Sequence, residues 1–282
     1  MKKTILLIAI IIGVFTLILI HNTGQKTTTT TNTIKQNYVA LGDSVAAGVG
    51  LEYYSDSSAC DRTNQSYPNI VASSLNFNLT NLACSGATLP NGILGQQDVN
   101  DLNLSPQVSQ LFKLKKPSLI TLTIGANDIG WTNIITKCYT SECGSASDTA
   151  GVNAALVSMS NNLSTALTQI KNNYGSSVPE VIVTGYHQVF PTSSLSCGDL
   201  TGIDATELTW GRSQQANLNS NIQAIVAQYS FAKFAPVNFS GHELCTTDSW
   251  VQGLSDNAPY HPTAEGQQEY ANSVISSYKS TK

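Results

Sequence analysis

Tyr38-Val39-Ala40-Leu41-Gly42-Asp43-Ser44 runs four residues of a buried-strand candidate into a glycine, an acid and a hydroxyl. Gly42 and Asp43 permit a sharp turn, so the Ser44 hydroxyl can emerge at the edge of a sheet. The same residues also read as an ordinary turn or a helix cap, because Asp and Ser both favour helix starts. The segments downstream decide whether this turn stands alone or opens a larger sheet.

Short apolar runs alternate with longer helical periods from here to the C-terminus. Asn64–Leu75 reads as a helix, Leu79–Ala83 as a strand, and Ser105–Leu114 as a helix with Pro106 at its first position. Ser118–Ile124 is apolar enough for a strand buried on both faces. Thr149–Lys171 repeats Val152, Leu156, Met159, Leu163, Leu167 and Ile170 at a helical period. Val181–Thr184 and Phe234–Val237 follow as strands, Leu208–Tyr229 and Thr263–Tyr278 as helices. Strands separated by helices imply right-handed crossovers, hence an α/β fold with a mainly parallel sheet flanked by helices. Tyr53–Asp61, Lys137–Ser147 and Pro191–Thr206 read as loop insertions. Ligands of such sheets bind outside the carboxyl ends of the strands, where the Ser44 turn falls.

The N-terminus is of a different kind. Lys2 and Lys3 precede an apolar run from Ile5 to Ile20, and the Thr-rich stretch 27–31 follows, the pattern of an export signal. The run is close to the roughly 17 residues that span a bilayer. Residues 1–24 therefore read as a signal peptide or an N-terminal membrane anchor, with a possible tether through residues 4–20. Residues 25–36 read as a linker and 37–282 as one domain, outside the cell or on the outer face of its membrane. Losing Lys2 and Lys3 with the leader takes the formal charge from −4 to −6. No cluster of Lys and Arg offsets it, which argues against a nucleic-acid partner. Six cysteines outside the membrane suggest disulfides, with the connectivity open and pairing of neighbours (Cys60–Cys84, Cys138–Cys143, Cys197–Cys245) the expectation. No CxxC spacing exists and only His242 lies near a cysteine, which argues against zinc.

Three further turns carry polar groups suited to chemistry. Leu82-Ala83-Cys84-Ser85-Gly86-Ala87 follows a strand, and Gly86 allows close backbone approach and an unhindered N–H. Ile124-Gly125-Ala126-Asn127-Asp128 follows the most apolar strand, and the Asn127 amide can meet a negative oxygen without carrying charge. Tyr260-His261-Pro262-Thr263 precedes the last helix, and Pro262 restricts the backbone of His261. Each turn alone has an ordinary reading, as an Asx turn or a helix entry.

Taken in order, these four blocks resemble the GDSL/SGNH hydrolase family, whose marker residues fall on Ser44, Gly86, Asn127 and His261. The resemblance runs from Tyr38 to the last helix and is strongest to the secreted actinomycete-type lipase and esterase branch. Val183-Thr184-Gly185-Tyr186-His187-Gln188-Val189-Phe190-Pro191 is similar to that branch's strand and following loop, with His187 where a proline is more usual. Gly241-His242-Glu243-Leu244-Cys245 with Trp250 is similar to its last disulfide region. The branch pairs its cysteines as neighbours. The resemblance implies a three-layer, flavodoxin-like fold and an acyl-enzyme on Ser44, with His261 as general base. It implies an oxyanion hole from the backbone N–H groups of Ser44 and Gly86 and the Asn127 side chain, with no metal or organic cofactor. The family often places an aspartate three residues before the histidine, where this chain has Ala258, while Asp256 lies five before. The secreted branch uses a main-chain carbonyl there, so the Ala258 carbonyl is the expected partner of His261, with Asp256 the alternative. The implied activity is hydrolysis of small-molecule or lipid carboxylic esters by a monomer. A carbohydrate O-acetyl esterase and a non-catalytic surface binding module on the same fold are the alternatives.

Overall fold

The computed structural model describes residues 35–52, 59–192 and 197–280, so the expected leader or anchor in residues 1–24 lies outside the described residues. β1 (Asn37–Gly42) and β2 (Asn78–Asn81) pair in parallel, and a small antiparallel hairpin follows, β3 (Gln97–Val99) with β4 (Leu102–Leu104). The main sheet continues on the other side of β1 through β5 (Leu119–Thr123), β6 (Glu180–Thr184) and β7 (Ala232–Ala235). Its order is β2-β1-β5-β6-β7, with every pair parallel. The chain leaves β1 towards one edge and returns to pair β5 on the other side. That reversal opens a crevice beyond the carboxyl ends of β1 and β5, the position at which open α/β sheets bind ligands.

Helices cover the sheet. α1 (Ser44–Ala47) and α2 (Tyr67–Leu75) follow β1, and α3 (Gln107–Lys113) precedes β5. α4 (Trp131–Thr140) and α5 (Ala146–Tyr174) lie between β5 and β6, α6 (Ala205–Val226) between β6 and β7, and α7 (Ala264–Lys279) ends the domain. α2 packs on α7, where Tyr67 and Tyr270 stack with ring centroids 5.6 Å apart. α5 packs on α6 and buries Val152, Leu156, Met159, Leu163, Leu167 and Ile170, the stripe set by its helical period. Each of these long helices starts at a capping box, Ser145 with Asp148 and Asp204 with Glu207. β5 is buried at every residue, including two threonines. Their hydroxyls are satisfied inside the core by Tyr38 on Thr121 (2.7 Å), and by Tyr67 (2.8 Å) and Thr184 (2.7 Å) on Thr123.

Several boundaries differ from the sequence reading. α3 begins at Gln107, with Pro106 as its N-cap residue rather than its first helical one. β7 ends at Ala235 because Pro236 has no N–H to continue a ladder. α4 reaches into the segment 137–147 read as a loop. Its Trp131, Ile134, Ile135 and Cys138 fall at i, i+3, i+4 and i+7, a helical stripe hidden by the threonines and asparagine between them. Three disulfides join Cys60–Cys84, Cys138–Cys143 and Cys197–Cys245, each across or beside an insertion.

The turn after β1 is tightly packed. Gly42 adopts φ +142°, and a Cβ there would lie 2.4 Å from the Thr123 carbonyl oxygen, so glycine alone fits. Gln107, buried at the start of α3, accepts the Gly42 N–H at 2.8 Å and donates to the Gly42 carbonyl at 2.9 Å. That carbonyl also accepts the Cys84 N–H at 3.0 Å, whereas the Gly42 N–H bonds to Gln107. Gln107→Leu, which strands the Gly42 N–H without an acceptor, is expected to lose about 1–3 kcal/mol of stability in a urea titration. A loss below about 0.5 kcal/mol, the scale of an ordinary surface change, would contradict this account.

Candidate active site

Four distant turns meet beyond the carboxyl ends of β1 and β5. The Ser44 Oγ lies 2.8 Å from Nε2 of His261. Asp43 caps α1 by accepting the Val45 N–H at 3.0 Å, which lifts Ser44 to the first position of the helix. The other Asp43 oxygen accepts from the Tyr186 hydroxyl, and the same hydroxyl accepts the Ala126 N–H at 3.1 Å. Tyr186 thereby ties the Ser44 turn to the loop bearing Asn127. Burial pushes the Asp43 carboxyl up to about 7, against the opposing pull of the Tyr186 and Val45 bonds. Burial likewise pushes Asp128, which accepts the Leu89 N–H at 2.9 Å, up to about 6.

The imidazole of His261 is held from its other side. Its Nδ1 lies 3.1 Å from the carbonyl oxygen of Pro259. A carbonyl only accepts, so Nδ1 carries the proton and Nε2 is left to accept from Ser44. The Ala258 carbonyl, the expected partner, also favours the imidazolium, second to that of Pro259. The Ala258 carbonyl accepts the backbone N–H of His261 at 3.1 Å, because the chain turns tightly from Ala258 to His261. Asp256 is engaged elsewhere, its carboxylate accepting the Gly253 N–H at 2.7 Å. Burial draws the pKa of His261 below its ordinary 6.5, while the Pro259 and then the Ala258 carbonyl oppose it.

The loop that carries His261 is built around Gln252, a residue with no motif to announce it. Its backbone pairs with His261 O and Tyr260 N, both at 2.8 Å. Its side chain accepts the Ala258 N–H at 3.2 Å and donates to the Pro262 carbonyl at 3.0 Å. Asn127 donates one amide proton to the Ala87 carbonyl at 2.9 Å, leaving its second proton for a ligand. That bond also ties Asn127 to the turn that carries Gly86, at φ +75°. Gly86 does not line the main cavity. It lies in a turn joined to β1 through the Cys84 N–H and the Gly42 carbonyl. Among the described residues, neither the Ser44 N–H nor the Gly86 N–H has a hydrogen-bond acceptor.

Ser44, Asn127 and His261 share a cavity of about 330 Å³. Ala126, Trp131, Ile135, Val189 and Leu218 give it an apolar wall, and Thr132, Thr136, Tyr186, His187, Gln215 and Tyr260 are among its other lining residues. Trp131 and Ile135 come from α4, the helix missed in the sequence, although its stripe was there to be read. No group of His, Cys, Asp and Glu suited to a metal ion occurs among the described residues.

A family model of GDSL-like lipases and acylhydrolases matches residues 40–269. The chain belongs to this family. It is a carboxylic ester hydrolase. A lipase of Streptomyces rimosus is 32% identical over 244 residues, covering 83% of this chain and 83% of that protein. The crystal structure of phospholipase A1 from Streptomyces albidoflavus NA297 matches with a TM-score of 0.70 and 29% identity, over 86% of this chain and 100% of that one. The extracellular lipase of Streptomyces rimosus matches with 0.63 and 28%, over 86% and 99%.

A base must be neutral to accept a proton, and burial disfavours the imidazolium of His261. The acid limb of kcat/KM is therefore expected below pH 6.5 rather than at it. Because Asp43 also titrates within reach of that range, the midpoint common to wild type and Asp43→Asn is the one to read. A common midpoint above pH 6.5 would contradict the burial argument.

Proposed function

We propose that this ester hydrolase is a serine enzyme that transfers an acyl group longer than acetyl to Ser44. The observation that carries the proposal is the 2.8 Å contact between Ser44 Oγ and His261 Nε2 on the wall of an apolar cavity. His261 takes the hydroxyl proton as Oγ attacks the ester carbonyl, then returns it to the leaving alcohol. Water enters by the same base and releases the acid. The Pro259 carbonyl holds the Nδ1 proton, fixing tautomer and ring orientation as the third member of a triad does. A carbonyl offers less to the imidazolium than a carboxylate, and burial adds to that cost. The oxyanion takes bonds from the N–H groups of Ser44 and Gly86 and from the second amide proton of Asn127.

The cavity favours the acyl over the O-acetyl reading. An acetyl group would leave most of 330 Å³ unfilled, whereas an alkyl chain covers Trp131, Ile135, Val189 and Leu218. The likeness to a phospholipase A1 and to lipases supports lipid acyl esters as the substrate class. Three disulfides suit an oxidising compartment, which supports export with residues 1–24 as the leader.

p-Nitrophenyl butyrate should be turned over by wild type and not by Ser44→Ala. Equal turnover by both would exclude the serine mechanism, and absence of turnover by either would support a binding module. Asn127→Ala should lower kcat by about 10²–10³, the usual cost of one oxyanion donor. Leu218→Trp should fill the cavity and move preference from hexanoyl or octanoyl towards acetyl esters. A chain-length profile unmoved by that change would place the acyl group elsewhere.

A further inference from the structure

We propose that His187 is a positioning residue for the Ser44–His261 pair, acting through the carbonyl of Tyr260; the inference rests on the serine esterase reading. Tyr260 precedes His261, and its carbonyl belongs to the peptide that carries the His261 nitrogen. The orientation of that peptide sets the direction in which the His261 side chain leaves the backbone. Tyr260 holds φ +69°, a left-handed conformation unusual for a bulky residue. Such a backbone persists only where its surroundings hold it in place.

His187 supplies one of those restraints. Its Nε2 lies 3.1 Å from the Tyr260 carbonyl oxygen, which can only accept, so Nε2 carries the ring proton. Nδ1 is then bare and accepts from the Tyr270 hydroxyl at 2.9 Å. The Tyr270 oxygen in turn accepts the backbone N–H of His187 at 3.2 Å. Gln215 donates to the His187 carbonyl, and the ring packs on Phe239 with centroids 4.6 Å apart. Every polar atom of His187 has a partner, and only one tautomer satisfies them all. The residue is 3% exposed.

A simple core histidine would need none of this directionality, and a hydrophobic residue of similar volume could replace it. The Tyr260 carbonyl needs an N–H donor at this place. Neutrality matters as well. When His261 takes the Ser44 proton it becomes cationic, and a second cation nearby would oppose that step. Burial holds the pKa of His187 at about 3, so it stays uncharged through the reaction.

The test compares His187→Leu, which removes the donor, with His187→Gln, whose amide nitrogen can reach the same place. Ser44→Ala is run first on p-nitrophenyl butyrate. If wild type shows no turnover beyond it, the esterase reading fails, which is a separate outcome from those below. His187→Leu should lower kcat at least about tenfold. It should slow phosphorylation of Ser44 by diethyl p-nitrophenyl phosphate, which has no acyl chain, by the same factor. His187→Gln should recover both to within about threefold of wild type. If His187→Leu does not fold, Tyr270→Phe carries the test, since it frees the ring to take the other tautomer and should lower kcat at unchanged KM. Undiminished kcat in His187→Leu or in Tyr270→Phe, a loss confined to KM, or an equal loss in His187→Gln would overturn the role.

Discussion

The backbone of Gly42 lies against the carbonyl of Thr123, and the active site depends on that close approach. With no side chain at this position, β1 can end tight against β5 and turn at once into α1. A Cβ would push the two strand ends apart at the point where the crevice opens. Gln107 then holds the bare peptide from both sides, and Asp43 begins the helix. Ser44 is thus set by backbone geometry before any partner acts on it. The partners arrive on loops anchored to the same strand ends, by Cys84 on the Gly42 carbonyl and Tyr186 on Asp43.

The histidine side is built on different principles. No strand ends beneath His261. Its loop is folded around Gln252, whose backbone and side chain bond to residues from Ala258 to Pro262. This arrangement presents carbonyls to the imidazole where a carboxylate could stand. A carbonyl fixes the tautomer at a lower desolvation cost than a buried carboxylate, and it adds no further acid to Asp43 and Asp128, which already interact there. The consequence is a base whose pKa is lowered by burial, with two carbonyls opposing that shift.

The cavity shows how an apolar surface is created from a polar-looking sequence. α4 is interrupted by threonines and an asparagine, yet it turns Trp131 and Ile135 to the cavity and buries Cys138. The Cys138–Cys143 bond closes the loop after it, and Tyr139 reaches the Asp199 carbonyl. A chain with only 11% charged residues can leave such faces inside without stranding ions.

Local sequence was sufficient for the layered α/β architecture, because strand and helix periods survive any packing. The glycines and asparagine at strand ends, and the histidine before the last helix, were legible for a similar reason. A turn demands particular residues, and those residues stand next to one another in the chain. Tertiary structure alone decided that the Pro259 carbonyl meets Nδ1 of His261, since the loop's course depends on the left-handed Tyr260 and on Gln252, which holds Ala258 six residues further on. It alone brought His187 and Tyr270 to the back of that loop, across 73 and 83 residues of sequence. Hydrogen bonds between remote side chains leave no period and no local motif, because their geometry exists only once the sheet has brought the loops together.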